Sequence, residues 1–196
     1  MDKNLTEHFA NLESKLQSPD FLNNQGLANE VGYYIFPYDI KDELKLQDLV
    51  ADLSHSDLAR KVNLKIFDLY DIMLKRIDDL KGLADGDPME MLYAMEKSDG
   101  LQFVSQQINN LLEMDKNDNG VVQEINKEIS GQKCVVLITG VGKVYPVLRA
   151  HKVLNTMHQV LDENPVIMLY PGAYDELSLR IFNEAKDQNY YRAFPI

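Results

Sequence analysis

The chain has 196 residues, 45% of them hydrophobic, and this size and composition argue against disorder because they allow a sizeable core to form. The formal net charge of −11 argues against direct binding of duplex DNA, because phosphate contacts depend on clustered Lys and Arg. No apolar run approaches the roughly 20 residues that span a bilayer, and Met1 is followed by polar residues rather than by an apolar leader. We therefore expect a cytoplasmic protein without a membrane segment.

The amino-terminal part of the chain predicts a helix and the start of a βαβ unit. An amphipathic helix is predicted over residues 3–18 by apolar residues at helical spacing, namely Leu5, Phe9, Leu12 and Leu16. Residues 31–38 are aromatic and β-branched, which predicts a buried strand. A leucine-rich helix from about residue 44 to 53 and a second short strand at 64–69 follow.

The middle of the chain predicts only helices. Asp87, Pro88 and Glu90 form a helix start, with a capping carboxylate, proline at the first helical position and Glu three residues after the cap. Gly100 ends this helix, and two more helices are predicted over 101–114 and 120–130. We interpret this stretch as a helical insertion, and residues 85–130 could form a small helical lobe.

The last third alternates between strands and helices. Strands are predicted at 133–139, 166–170 and 190–195, and helices at 146–161 and 176–186. This alternation favours an α/β fold in which a largely parallel sheet is covered by helices, a Rossmann-like three-layer arrangement. The strands before Gly140 and Gly172 should be parallel neighbours, which would place both glycines at one edge of the sheet. Without an evident linker, residues 1–196 are predicted to form one domain.

The glycine turn after the strand at 133–139 does not match a standard nucleotide-binding loop. A P-loop needs four residues between its first glycine and the Gly-Lys pair, but only Val141 separates Gly140 from Gly142. Val144 follows Lys143 where a P-loop has Ser or Thr for Mg²⁺. The dinucleotide fingerprint fails too, because Tyr145 replaces its third glycine.

Other candidate sites are weaker still. Residues 115–126 have the early oxygen ligands and glycine of a calcium loop, but Asn126 cannot supply the final bidentate carboxylate. His151 and His158 lie seven residues apart, about 10.5 Å along a helix, which is too far to share one metal ion. Cys134 is the only cysteine, so no internal disulfide can form. We interpret it as a core residue. We therefore predict no metal and no cofactor.

Three ordered blocks in the last third resemble a known protein family. They are TGVGKVYPVLRAHKVLN at 139–155, VIMLYPG at 166–172 and NYYRAF at 189–194. Together they are similar to the BrxB family, whose members are small proteins of bacterial BREX (bacteriophage exclusion) defence systems. The resemblance implies a non-enzymatic adaptor that binds other BREX proteins, with the alkaline-phosphatase-like PglZ protein and the BrxC ATPase as candidate partners.

The residues themselves leave one alternative open, a small nucleotide- or phosphate-binding enzyme that uses the turn at 140–143. The last third is also the expected binding face, since residues 1–130 carry 13 Lys and Arg against 25 Asp and Glu, whereas residues 131–196 carry 7 against 6. Arg149 could instead bond a neighbouring carboxylate, and the tyrosines could be core rings. The candidate partner or ligand contacts are Gly140, Gly142, Lys143, Tyr145, Arg149, His151, Tyr170, Gly172, Tyr174 and Arg192.

Overall fold

The computed structural model describes residues 5–23, 32–82, 86–157, 164–174, 179–182, 185–187 and 193–196. For His151 and for residues 185–187, the description covers the backbone only. Among the described helices, none combines the length and the apolar character needed to cross a bilayer.

The described elements alternate as an α/β chain with a helical middle. The helices are α1 (Leu5–Leu16), α2 (Pro19–Leu22), α3 (Glu43–His55), α4 (Asp57–Lys61), α5 (Leu69–Asp78), α6 (Pro88–Asp99), α7 (Leu101–Leu111), α8 (Gly120–Ile129), α9 (Val141–Val144) and α10 (Ala150–Met157). The strands are β1 (Tyr33–Tyr38), β2 (Leu64–Asp68), β3 (Val135–Thr139), β4 (Val166–Tyr174), β5 (Leu179–Ile181), β6 (Ala185–Asp187) and β7 (Phe194–Pro195).

The sheet has the order β2-β3-β4-β1-β7, and every neighbouring pair along this path is parallel. The Rossmann-like three-layer class is therefore confirmed. The predicted pairing of β3 with β4 is also confirmed, with Ile138 opposite Met168 near the carboxyl end of β3. This register brings Gly140 and Gly172 to the same edge, as predicted.

Two apolar cores lie on opposite faces of the sheet. Along β3, Val135 and Leu137 pack with α1 and α3, whereas Val136 and Ile138 pack with α5, α7, α8 and α10. The chain passes from β1 to β2 across two strands on the first face, and then returns through β3 to β4 on the second. Connections between parallel strands are right-handed, so connections that run in opposite directions along the sheet lie on opposite faces. The helices between β1 and β2 therefore cover one face, and those between β2 and β4 cover the other.

The helical middle is confirmed as three helices, α6, α7 and α8. Asp87 caps α6 as predicted, and its carboxylate accepts hydrogen bonds from the backbone N–H groups of Met89 and Glu90. Residues 115–119 of the calcium-like segment lie between α7 and α8, and its residues 120–126 belong to α8. There, the buried Asn119 caps α8 and donates to Thr156 of α10 at 2.9 Å, so its amide joins two helices.

The first helix predicted in the last third is present, but it starts later than expected. The helix predicted from Pro146 begins at Ala150, and a four-residue helix, α9, precedes it at the glycine turn. Tyr145 has an extended backbone (φ −73°, ψ 137°), as is typical of a residue before proline, and this separates the two helices.

The helix predicted at 176–186 is contradicted by β5 and β6. Strand β4 continues past Tyr170 to Tyr174, so its extension offers an open edge with which β5 pairs in antiparallel register. Leu179 and Ile181 are buried while Arg180 between them is exposed, and this alternation of buried and exposed side chains is typical of a strand. Residues 158–161 and 190–192, which complete two other predicted elements, lie outside the described residues.

We predict that Leu137→Ala lowers the free energy of unfolding by about 2–5 kcal/mol, because it leaves a cavity at a position only 1% exposed. Chemical denaturation measures the change. The matched control is Leu44→Ala on α3, where the side chain is 77% exposed and the expected change is within about 0.5 kcal/mol. Equal losses for the two variants would contradict the proposed core.

Candidate functional site

A cleft of about 410 Å³ lies between α3 and the carboxyl edge of the sheet. Because α3 belongs to the crossover that spans two strands, it passes over the ends of β3 and β4 and leaves space beneath it. The cleft is lined by Tyr38, Glu43, Leu46, Gln47, Val50, Ala51, Ser54, Ile66, Asp68, Thr139, Gly140, Lys143 and Leu169. This is the edge at which ligands bind in open α/β sheets.

Asp68 organises the sheet side of the cleft. It ends β2, and its carboxylate caps α5 by accepting a hydrogen bond from the backbone N–H of Tyr70 at 2.9 Å. The same carboxylate accepts from the Thr139 hydroxyl at 3.3 Å and from the Lys143 ammonium at 2.7 Å. This contact with Asp68 raises the pKa of Lys143, so the ammonium is charged at neutral pH.

Glu43 organises the helix side of the cleft. Its carboxylate accepts hydrogen bonds from the Tyr38 hydroxyl and from the Gln47 amide, the latter at 3.0 Å. Burial and, secondly, the hydrogen bond to Glu43 raise the pKa of Tyr38, so its hydroxyl remains a donor at physiological pH. The donors fix the carboxylate at the start of α3.

The first glycine of the turn is required by its contact with Asp68. Gly140 has φ +74°, and a Cβ built on it would lie 2.2 Å from Oδ1 of Asp68. Only glycine combines this backbone conformation with so close a neighbour. The turn therefore holds a carboxylate against its backbone, which is unfavourable for a phosphate in the same place.

The other glycines of the edge serve the packing of β5. Gly172 has φ +148°, and an added Cβ would lie 2.0 Å from the backbone oxygen of Arg180. Gly142 lies against Pro171 and Phe182, and Phe182 makes an edge-on contact with Tyr145 at a centroid distance of 5.7 Å. Among the sequence candidates whose side chains the structure describes, only Gly140 and Lys143 line the cleft.

The remaining candidate residues from the sequence do not share one location. Tyr170 is 2% exposed and belongs to the core, while the half-buried Tyr174 donates its hydroxyl hydrogen to the backbone oxygen of Ala193 at 2.6 Å. Arg149 is exposed. The side chain of His151 and all of Arg192 lie outside the described residues.

Sequence reasoning did not identify Asp68 and did not assign Glu43 to a site. A signal for Asp68 was present, because an aspartate between a strand and a helix is a strong candidate for an N-cap at the carboxyl edge. Within the described part of the chain, no group of three or more His, Cys, Asp or Glu residues is arranged to hold a metal ion.

Comparison with known proteins places this chain in a family. The family model described as "BREX protein BrxB" matches residues 65–196. The chain is 34% identical over 195 residues to a BREX protein BrxB of Bacillus cereus (strain H3081.97), covering 99% of this chain and 98% of the relative. The chain belongs to the BrxB family. Its predicted resemblance is thus confirmed, and the protein is a component of a BREX anti-phage defence system.

A second BrxB relative, from Escherichia coli O9:H4 (strain HS), is 26% identical over 194 residues and covers 99% of this chain and 92% of the relative. The comparison with solved structures gave no match. The BrxB family model begins inside β2, so its range contains Asp68, Gly140 and Lys143 but not Tyr38 or Glu43. The full-length similarities cover both sides of the cleft.

We predict that Gly140→Ala destabilises this BrxB protein by more than the roughly 1–3 kcal/mol expected from backbone strain alone, because the new methyl group meets Asp68. Gly131→Ala is the matched control, since Gly131 has a similar φ of +72° but no atom near its Cβ position. In an Asp68→Ala background, the cost of Gly140→Ala should fall to that of Gly131→Ala. Denaturant titration of the four variants measures the coupling, and an unchanged cost would refute the contact.

We also predict that MgATP does not bind in the manner of a P-loop, because the turn lacks the required spacing and Lys143 is already paired with Asp68. Isothermal titration of the protein and of Lys143→Ala should show no saturable micromolar binding for either. Micromolar binding that Lys143→Ala abolishes would support the enzyme alternative.

Proposed function

We propose that this BrxB-family protein is a non-enzymatic adaptor that binds other BREX proteins and helps to assemble them. The observation that carries the proposal is a group of large hydrophobic side chains exposed on α6 and α7, here called the α6–α7 surface. Its members are Met89, Met91, Tyr93, Leu101 and Phe103, with exposed fractions of 46%, 40%, 71%, 45% and 39%. Five of the eight large hydrophobic side chains that are exposed among the described residues thus lie on these two consecutive helices, and such a concentration of apolar groups at the surface favours a role in recognition.

Two positions of α7 leave large apolar side chains in contact with solvent. Val104 and Ile108 enter the core, so Phe103 lies on the other side of the helix, whereas Leu101 precedes Val104 by one turn and is exposed at the first position of α7. A neighbouring groove of about 150 Å³ is lined almost entirely by apolar side chains, including Leu80, Met91, Leu92, Met95 and Leu111. Unbranched methionines adapt their shape to a partner, a property suited to such a groove.

The charges beside these residues favour a basic partner. Asp87, Glu90, Glu96 and Asp99 on or next to α6 outnumber the single cation of that helix, Lys97. An apolar centre with an acidic rim would attract a segment that presents apolar side chains between Lys or Arg residues. The phosphate-binding alternative has weaker support, because Asp68 neutralises Lys143.

The last third supplies one further candidate contact. Asn109 of α7 donates to the backbone oxygen of Val147 at 2.6 Å, so α7 holds the loop that carries the exposed Arg149. We therefore include Arg149 in the proposed binding region as a charged contact, whereas Tyr170 is buried in the core.

We predict that the double variant Tyr93→Ser/Phe103→Ser weakens binding to BREX partners by at least about 30-fold, since buried aromatic side chains dominate interface energies. Co-purification with PglZ and BrxC, followed by titration of the partner that binds, measures the loss. The control is Lys97→Ser/Gln102→Ser, which changes two exposed polar residues of the same helices. Thermal melts should show that both proteins remain folded.

Arg149→Ala provides the comparison between regions. A smaller loss than that of the aromatic double variant is expected, because a rim charge chiefly affects the association rate. Full binding by the aromatic variant together with loss in Arg149→Ala would move the interface to the last third. Full binding by both folded variants would reject the proposed region.

A further inference from the structure

We propose that the cleft beneath α3 is a binding site for an organic cation with an apolar stem, such as an alkylammonium or alkylguanidinium group. Its volume of about 410 Å³ lies within the range of ligand sites. The apolar part of its wall is formed by Leu46, Val50, Ile66 and Leu169. This wall suits a short hydrocarbon chain.

The cleft mouth has more negative than positive charge. Lys143 is paired with Asp68, and it also lies within electrostatic reach of Asp71 and Glu43, so one ammonium faces three carboxylates. The turn between β1 and α3 does not restore the balance, because Asp39 and Asp42 accompany its Lys41. Electrostatics at this edge therefore favour a cation and oppose a phosphate or a carboxylate.

Glu43 is the group best placed to receive the cation. It accepts hydrogen bonds from two neutral donors, Tyr38 and Gln47, and among the side chains that the structure describes it forms no salt bridge. A carboxylate has about four acceptor positions, so it can still accept from a charged donor. The bound cation would point to Glu43, and its stem would lie along the apolar wall.

Two sources offer this chemistry, a free amine and the Lys or Arg side chain of a partner protein. The site does not depend on the α6–α7 surface, since neither α6 nor α7 contributes to the cleft. Variants of the α6–α7 surface should therefore leave cation binding unchanged, and the two proposals can fail separately.

The test is isothermal titration with n-hexylammonium, n-hexanol and n-hexanoate, three probes with the same stem and different head groups. Hexylammonium should bind saturably and at least about tenfold more tightly than hexanol, the factor that one charged hydrogen bond supplies. Hexanoate should show no saturable binding. Equal affinities for hexylammonium and hexanol would overturn the proposal.

Variants locate the site. Glu43→Gln should remove most of the preference for hexylammonium while it retains an acceptor for Tyr38, and Ala51→Leu should weaken both hexylammonium and hexanol by filling the cleft. Asp52→Asn is the control, because it removes a carboxylate from an exposed position of α3 outside the cleft lining. Unchanged hexylammonium binding in folded Glu43→Gln would reject the assignment.

A final measurement distinguishes the sources. If a partner side chain occupies the cleft, Glu43→Gln and added hexylammonium should each weaken the complex with the BREX partner identified by co-purification. If the natural ligand is a free amine, hexylammonium should bind to the cleft without affecting that complex. Either result supports the cation site, provided that the head-group preference depends on Glu43.

Discussion

The Asp68 carboxylate connects parts of the carboxyl edge that the chain supplies from separate segments. It ends β2, caps α5, accepts from Thr139 at the end of β3 and pairs with Lys143 in α9. A carboxylate with several donors and low exposure is fixed in position, and its own position then determines that of the glycine turn. This arrangement requires glycine at position 140, because an oxygen of Asp68 occupies the space that a Cβ would fill.

The strand order explains why the cleft and the α6–α7 surface are separate. Strand β1 lies three positions from β2, so α3 passes over the intervening strand ends and leaves the cleft on one face. The return from β2 to β3 passes over the opposite face and carries the insertion with α6 and α7. A reversal in the direction of travel thus places the two proposed binding regions on opposite faces of the sheet.

Local signals predicted the elements whose formation depends on nearby residues. The cap at Asp87 and the buried strand β3 needed only residues close in sequence. The strands β5 and β6 form because β4 continues beyond Tyr170 and offers β5 an open edge. The residues of 176–186 alone show a helix-like period and do not reveal this pairing. The same distinction applies to the site. The glycine turn at 140–143 could be predicted from adjacent residues, but its contact with Asp68 could not, because Asp68 lies 75 residues from Lys143.

Charge distribution and exposed apolar side chains favour different regions of the chain as the binding face. The near-neutral last third was expected to contain the binding face, yet the α6–α7 surface lies in the acidic part of the chain. The two signals report different properties, because contact energy comes mainly from buried apolar and aromatic groups, whereas charge contributes more to association rate and partner choice. An acidic environment around Tyr93 and Phe103 is therefore compatible with a strong interface. In the proposed interface this environment would select a basic partner, just as the surplus carboxylates around Lys143 would select a cation in the proposed cleft site.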